Sequence, residues 1–283
     1  MSSVAVTGTR YLVNPESVDR KGPFDIRILA EGDSWMDRSA PTSGSLPDYL
    51  AEAFDRKDVS ALIINISHAS DTLKRITDTM GGEFNWWLRQ YRYDAIVLSA
   101  GGNDFIDAAR DPAPGTGLLK DMIGLPLPAD GFDCVDQQAL KALVQDFLAP
   151  NFDVIYRRIR DDRLNAEVPL FLNCYDTPVA RDAPAARGIG PWLFDAYTKN
   201  HIDETLWPSL TAGMFNEVKS NVEAWRTGRT GVFAVPTSGL LTPAAPKSKG
   251  SSGDWENEIH PNKSGWRKLS KVWVREIRSV LAV

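Results

Sequence analysis

Five short apolar runs, separated by longer amphipathic segments, limit what this chain can fold into more than any other feature of its sequence. Short continuous runs of this kind are typical of parallel strands that are buried on both faces. Because the segments between them have the spacing of helices, the pattern predicts an α/β fold in which helices cover both faces of an open parallel sheet. The predicted strands are residues 26–30, 61–66, 95–99, 169–173 and 232–235.

The same pattern divides the chain into an N-terminal arm and one domain. Residues 1–25 show no clear periodicity, so we expect them to form an arm lying on a domain made by residues 26–283. Three long segments rich in proline and glycine follow the third, fourth and fifth predicted strands, at the edge where ligands bind in open α/β sheets. Either long loops simply accumulate there, or at least one of them covers a substrate. The three segments are residues 107–131, 176–191 and 236–253.

The charge and hydropathy of the chain limit its possible binding partners and its expected cellular compartment. With 32 basic and 37 acidic residues the formal net charge is −5, and no cluster of basic residues stands out, so nucleic acid is excluded as a partner. No apolar stretch approaches the roughly 18 residues of a membrane span, and the N-terminus lacks the pattern of a signal peptide. We therefore expect a cytoplasmic protein by default, with non-classical export left open. The sequence says nothing about the oligomeric state.

A candidate nucleophile lies directly after the first predicted strand, in Gly32-Asp33-Ser34-Trp35. Since the small glycine permits a tight turn, we expect Ser34 to be exposed at the carboxyl edge of the sheet. A serine hydroxyl is a weak nucleophile unless a base takes its proton. His260 is the best candidate for that base, because it follows the fifth predicted strand and precedes the last helix. His68 follows the second strand and is an alternative, whereas His201 lies in polar sequence.

A third block, Gly101-Gly102-Asn103-Asp104, follows the third predicted strand, where an asparagine amide can donate a hydrogen bond to an oxyanion. In order along the chain, the Gly-Asp-Ser block, this block and His260 make the sequence resemble the SGNH hydrolases, also called GDSL esterases and lipases. The resemblance runs from about residue 26 to the C-terminus. It implies a flavodoxin-like three-layer α/β/α sandwich around a five-stranded parallel sheet. It also implies that Ser34 is the nucleophile, His260 the general base and Asn103 an oxyanion-hole donor.

The second block of the family departs from its pattern here, because Ser70 stands where the family has glycine. The resemblance implies that a backbone N–H donates to the oxyanion at this position, and serine retains that group. The site survives if the turn does not demand a positive φ, which serine adopts reluctantly. The implied oxyanion hole therefore consists of the N–H groups of Ser34 and Ser70 and the side chain of Asn103.

The last block also departs from the family, because the residue three positions before His260 is Asn257 instead of aspartate. An amide can orient the imidazole but has no charge with which to stabilise the imidazolium. We therefore expect a nearby carboxylate to complete the triad, and we favour Asp254 because it follows a flexible run of glycine and serine. Glu256 and Glu258 are the other candidates. The alternative is a Ser-His dyad in which Asn257 or a backbone carbonyl fixes the tautomer.

The expected reaction is the hydrolysis of a carboxylic ester through an acyl-enzyme, with a small-molecule, lipid or glycan ester as substrate. The alternative is a hydrolase-like protein with impaired catalysis that binds an acyl or glycan ligand, a possibility raised by Asn257 and Ser70. The sequence contains no Gly-x-Ser-x-Gly elbow, His-Glu-x-x-His motif or nucleotide-binding glycine motif. We expect neither a metal site nor an organic cofactor.

Overall fold

Parallel strands form a single sheet in the computed structural model, which describes residues 2–19, 22–37 and 44–283. In these residues the strands are β1 (Val4–Thr7), β2 (Ile26–Gly32), β3 (Ala61–Asn65), β4 (Ala95–Ser99), β5 (Leu170–Asn173) and β6 (Val232–Val235). They lie in the order β1-β3-β2-β4-β5-β6, and every neighbouring pair is parallel. The order of β2 to β6 is that of a flavodoxin-like sheet. The predicted fold class is confirmed.

The prediction of five strands is wrong by one, because the N-terminal segment that we expected to form an arm contributes β1 to the sheet. Val4 lies opposite Leu62 of β3, and Thr7 lies opposite Asn65. This strand is four residues long, its apolar run Val4-Ala5-Val6 is shorter than the runs predicted for the other strands, and only Val6 in it is buried. An edge strand of this kind is specified by pairing with β3, a tertiary contact that no local pattern reports.

Helices lie on both sides of the sheet, with α3 packed against α11 and α10 packed against α6. A π-helical segment, Ala142–Leu148, joins α7 to α8 without a break, and Pro150 lies directly after it, in the first turn of α8. The helices are α1 (Gly8–Val13), α2 (Pro15–Asp19), α3 (Leu46–Asp55), α4 (Leu73–Thr77), α5 (Gly81–Gln90), α6 (Gly102–Ala109), α7 (Gln137–Lys141), α8 (Ala149–Arg160), α9 (Leu193–Lys199), α10 (Trp207–Arg226) and α11 (Lys263–Leu281).

The central strands position the candidate site. Strands β3 and β4 are buried along their whole length and β2 almost so, because each has neighbours on both sides and helices above and below. Since all strands are parallel, the segments that follow β2, β4 and β6 emerge at one edge of the sheet. Ser34, Asn103 and His260 lie in those segments. None of the helices in the described part of the chain has the length and apolar character needed to cross a membrane.

Candidate active site

Ser34 and His260 lie within hydrogen-bonding distance at the carboxyl edge of the sheet. The Nε2 atom of His260 is 2.8 Å from Oγ of Ser34. Both residues are largely buried, with 8% of Ser34 and 4% of His260 exposed. The other two histidines are exposed and contact carboxylates elsewhere, His68 through Nε2 and His201 through Nδ1. Of the three histidines, the structure brings only His260 to Ser34.

The turn that carries Ser34 depends on the glycine before it. Gly32 has a φ of +146°, and a Cβ at this position would lie 2.3 Å from the carbonyl oxygen of Ser99. The next residue, Asp33, donates its N–H to that same carbonyl at 2.9 Å. Its carboxylate accepts the N–H of Trp35 at 3.0 Å and so closes the turn. Ser34 is held between these contacts, directly against the end of β4.

Buried hydrogen bonds tie this turn to the ends of two further strands. The carboxylate of Asp33 accepts the hydroxyl groups of Tyr175 and Ser99, the latter at 3.0 Å. The hydroxyl of Ser99 in turn accepts the amide N–H of Asn173 at 3.0 Å. Burial raises the pKa of Asp33 to about 6, against the lowering effect of these hydrogen bonds, and it raises the pKa of Tyr175 as well. The network fixes the ends of β2, β4 and β5 relative to one another.

The side chain of Asn257 orients His260. Its Oδ1 atom is 3.0 Å from Nδ1 of His260 and also accepts the backbone N–H groups of Ile259 and His260, at 3.1 and 3.0 Å. Because three donors converge on this oxygen, the ring carries its proton on Nδ1, and Nε2 is left as an acceptor for the Ser34 hydroxyl. Burial lowers the pKa of His260 to about 4, so the imidazole is neutral near pH 7.

The structure does not bring the favoured carboxylate, Asp254, to the ring of His260. Instead the carboxylate accepts the N–H of Thr242 at 2.6 Å and forms an ion pair with Lys268. Although burial opposes the shift, these hydrogen bonds hold the pKa of Asp254 at about 2. The expectation that Asp254 orients His260 is therefore wrong. Asp254 instead stabilises the loop that follows β6. Glu256 donates its backbone N–H to the carbonyl of His260 at 2.8 Å.

The remaining carboxylate candidate, Glu258, binds the start of α9. Its two oxygens accept the N–H groups of Arg181 and of residues 192–194. The last three residues lie at the start of α9, where backbone N–H groups have no partner within the helix. Burial raises the pKa of Glu258 to about 7, opposed by these four hydrogen bonds. The capped end of α9 carries Trp192, whose ring lies edge-on to that of His260 with centroids 5.4 Å apart. No signal in the sequence identified this contact.

Asn103 and Ser70, both expected to contribute to the oxyanion hole, differ in their surroundings. Asn103 lines the same small cavity as Ser34, and its Nδ2 donates to the carbonyl oxygen of Asp71 at 3.0 Å. Ser70 has a φ of +64°, so the turn does require the left-handed conformation, which costs a non-glycine residue about 1–2 kcal/mol. Ser70 is not part of the lining of that cavity in the described residues.

The cavity beside Ser34 is small, about 10 Å³, which is room for roughly one water molecule. Trp35 forms part of it and also packs edge-on against the ring of Tyr175, at 5.1 Å. Its indole N–H donates to the carbonyl of Ile259 at 3.2 Å, which ties the Ser34 turn to the His260 segment. The side chains that line the cavity include Ser34, Trp35, Asn103, Ile106, Tyr175 and Phe215. In the described ranges, no group of three or more His, Cys, Asp or Glu is arranged to hold a metal ion.

Solved structures share this arrangement of sheet and helices. A possible lipase from Chitinophaga pinensis has a TM-score of 0.52 and 13% identity, over 90% of this chain and 99% of that one. The acetyl xylan esterase AlAXEase has a TM-score of 0.50 and 11% identity, over 89% and 99%. A putative SGNH hydrolase from Slackia heliotrinireducens has a TM-score of 0.49 and 13% identity, over 88% and 97%.

At such identities the similarity concerns the fold alone, and the predicted α/β/α fold around a parallel sheet is confirmed. No family model matches the chain, and no curated protein matches it.

Proposed function

We propose that this protein is a serine hydrolase that cleaves carboxylic esters through an acyl-enzyme. The observation that carries the proposal is a buried row of hydrogen bonds, from Oγ of Ser34 to Nε2 of His260 at 2.8 Å and from Nδ1 to Asn257 at 3.0 Å. A nucleophile, a base and a group that orients the base are the recurring parts of nucleophilic acyl transfer.

In the proposed reaction, Oγ of Ser34 attacks the ester carbonyl while its proton passes to Nε2 of His260. The oxyanion that forms accepts hydrogen bonds from the backbone N–H of Ser34 and from the Asn103 amide, both of which belong to residues lining the cavity. His260 then gives its proton to the leaving alcohol, and an acyl ester remains on Ser34. A water molecule attacks that ester with His260 again as the base, which releases the carboxylic acid and restores the serine.

The test is labelling by a fluorophosphonate, which reacts with an activated serine, together with hydrolysis of 4-nitrophenyl acetate. A short acyl group is chosen because the cavity beside Ser34 is small. We expect labelling of the wild-type protein and none of Ser34→Ala, with kcat lower by at least about 10³. Ser67→Ala is the matched control, since Ser67 is exposed to the same 8% and bonds only within its own turn, to Asn65. Retention of most activity by Ser34→Ala would remove Ser34 from the mechanism.

The second candidate function is binding without efficient catalysis, of an acyl or glycan ligand. It is favoured by Asn257, which stands where a carboxylate would support the imidazolium, and by the strained backbone of Ser70. The same experiment separates the two functions. A wild-type protein that neither reacts with the fluorophosphonate nor hydrolyses the ester favours binding only.

A further inference from the structure

A second, larger cavity lies among α10, the start of α9 and the loops that follow β5 and β6. Its volume is about 970 Å³, near the upper end of the roughly 300–1,000 Å³ found for pockets that bind small molecules. Phe194 and Trp207 meet edge-to-face in its wall, with ring centroids 5.5 Å apart. We call it the α10 cavity, and its apolar wall includes Val179, Phe194, Trp207, Leu241, Pro243 and Pro246.

Two of the charged side chains in the lining are engaged by backbone groups. The carboxylate of Asp176 accepts three backbone N–H groups, from Thr177, Gly239 and Leu241, at 2.6–2.7 Å. The guanidinium of Arg181 donates to the carbonyl oxygens of Ser248, Gly250 and Asn257. These hydrogen bonds stabilise the loops around the cavity, although the buried Nε of Arg181 has no hydrogen-bond partner among the described residues.

The other four charged side chains of the lining form two exposed ion pairs. Lys247 lies 2.8 Å from Glu204, and Lys249 lies 3.0 Å from Asp182. Each pair joins the loop after β6 to a segment across the cavity. Every charged residue of the lining has a partner within the protein. The rest of the lining is mostly apolar, with Thr177, Thr211, Asn216 and Ser238 as its uncharged polar residues.

The α10 cavity and the cavity beside Ser34 are lined by residues that are neighbours along the chain. Tyr175 and Phe215 line the small cavity, whereas the residues that follow them directly, Asp176 and Asn216, line the large one. Tyr175 and Phe215 are both buried, with 2% and 6% exposed. The loop after β5 and helix α10 therefore each contribute residues to both cavities.

Hydrogen bonds also connect the α10 cavity to the segment that carries His260. Arg181 lines the cavity and donates to the carbonyl of Asn257 at 2.6 Å. Phe194 lines it too, and donates its N–H to Glu258 at 2.7 Å. A ligand in the cavity would thus contact Arg181 and Phe194, which hold Asn257 and Glu258 in the segment directly before His260.

We infer that the α10 cavity binds an uncharged apolar group, an alkyl chain or an aromatic ring. Such a group can come from two sources. One is the apolar part of the ester substrate, and this source rests on the proposed function. The other is a separate apolar molecule that occupies the cavity while the ester reacts at Ser34.

The binding test uses Nile red, a neutral fluorophore whose emission rises in apolar surroundings. We expect one saturable site with equal Kd in the wild type and in Ser34→Ala. Ala180→Trp, which fills part of the cavity, should weaken binding by at least about 10-fold. Pro246→Trp, at the exposed mouth, should act in the same direction and is the safer variant for folding. Ala129→Trp, on an exposed loop outside the lining, is the matched control. Absence of saturable binding, or equal affinity in all three tryptophan variants, overturns the inference.

Hydrolysis measurements separate the two sources. If the cavity takes the substrate's chain, Ala180→Trp lowers kcat/KM for 4-nitrophenyl octanoate by at least about 10-fold and leaves that for the acetate within about 2-fold. If a separate molecule binds, both esters are unaffected by Ala180→Trp, and decan-1-ol changes acetate turnover only in the wild type. If neither ester is hydrolysed and Ser34 is not labelled, the proposed function fails. Nile red binding still tests whether the α10 cavity binds an apolar group.

Discussion

At the scale of single residues, Asn257 sets the chemistry that His260 can perform. The amide fixes the tautomer by accepting from Nδ1, but it provides no negative charge when the ring becomes an imidazolium. Burial alone already lowers the pKa of His260 to about 4. The ring is thus well oriented and a weak base, which sets it apart from the histidine of an Asp-containing triad.

The first prediction concerns the pH dependence of the proposed reaction. Because only the neutral ring can accept the Ser34 proton, kcat/KM of the wild type should stay level as pH falls to about 5 and decline below about 4. In Asn257→Asp the carboxylate stabilises the imidazolium, so the acidic limb should move to higher pH. The kcat/KM of Asn257→Asp at neutral pH should be higher than that of the wild type by about 10-fold or more. The measurement is the pH profile of kcat/KM for 4-nitrophenyl acetate.

Asn257→Ala is the control for this comparison, since it removes the acceptor without adding a charge. It should lower kcat at every pH and leave the limb at or below its wild-type position. A limb that is the same in Asn257→Asp and the wild type would show that residue 257 does not interact with the protonated ring.

At the scale of elements, α9 depends on a carboxylate from a distant part of the chain. The helix has only seven residues, too few to be stable by itself. Glu258 accepts four backbone N–H groups around its start, and the next residues along the chain carry His260. The start of α9, the edge-on ring of Trp192 and the His260 turn therefore form one unit.

We accordingly predict that Glu258→Gln destabilises the protein by about 2–4 kcal/mol, because the new amide places N–H groups against two buried N–H donors. The free energy of unfolding in urea measures this. Asp195→Asn is the control, since Asp195 is an exposed acidic residue in the first turn of the same helix. Its loss should cost less than about 1 kcal/mol. Equal effects of the two changes would mean that Glu258 acts only through the helix dipole.

At the scale of the whole molecule, the carboxyl edge of the sheet gathers carboxyl groups that burial holds partly protonated. Asp104 is 4% exposed and accepts the N–H of Leu73 at the start of α4, with its pKa raised by burial to about 7. Asp33 lies at the same edge with a pKa of about 6. In an unfolded chain both groups would lose their protons at a pH near 4.

A raised pKa in the folded state makes stability fall as pH rises through the interval between the two pKa values. For Asp104 that interval runs from about pH 4 to about pH 7, and the contribution is fully present only below it. Asp104→Asn does not titrate there, so its stability relative to the wild type should increase by about 1 kcal/mol per pH unit and level off above about pH 7. Urea unfolding at several pH values tests this, with Asp146→Asn, on the exposed surface, as the control. A stability difference independent of pH would mean that Asp104 is ionised in the folded protein.

Local patterns predicted the four central strands and the edge strand β6, but not the edge strand β1. The predicted run 95–99 coincides with β4 residue for residue, and the run 232–235 coincides with β6. Strands of a parallel sheet covered by helices consist of apolar runs, which a local pattern detects. Strand β2 continues two residues past its run, through Glu31 and Gly32, since pairing with β4 extends it into polar sequence. Strand β1 has an apolar run of only three residues, Val4-Ala5-Val6, and its pairing with β3 makes it a strand.

The sequence by itself determined the alternation of strands and helices and the placement of Ser34, Asn103 and His260 at strand ends, because those features are written in residues close together along the chain. Only the tertiary structure decided which side chain meets His260. Asp254, Asn257 and Glu258 lie within one short segment, and the folded backbone turns the first towards Lys268, the second towards the ring and the third towards α9. Contacts with residues far away in sequence make that choice, so no local pattern could report it.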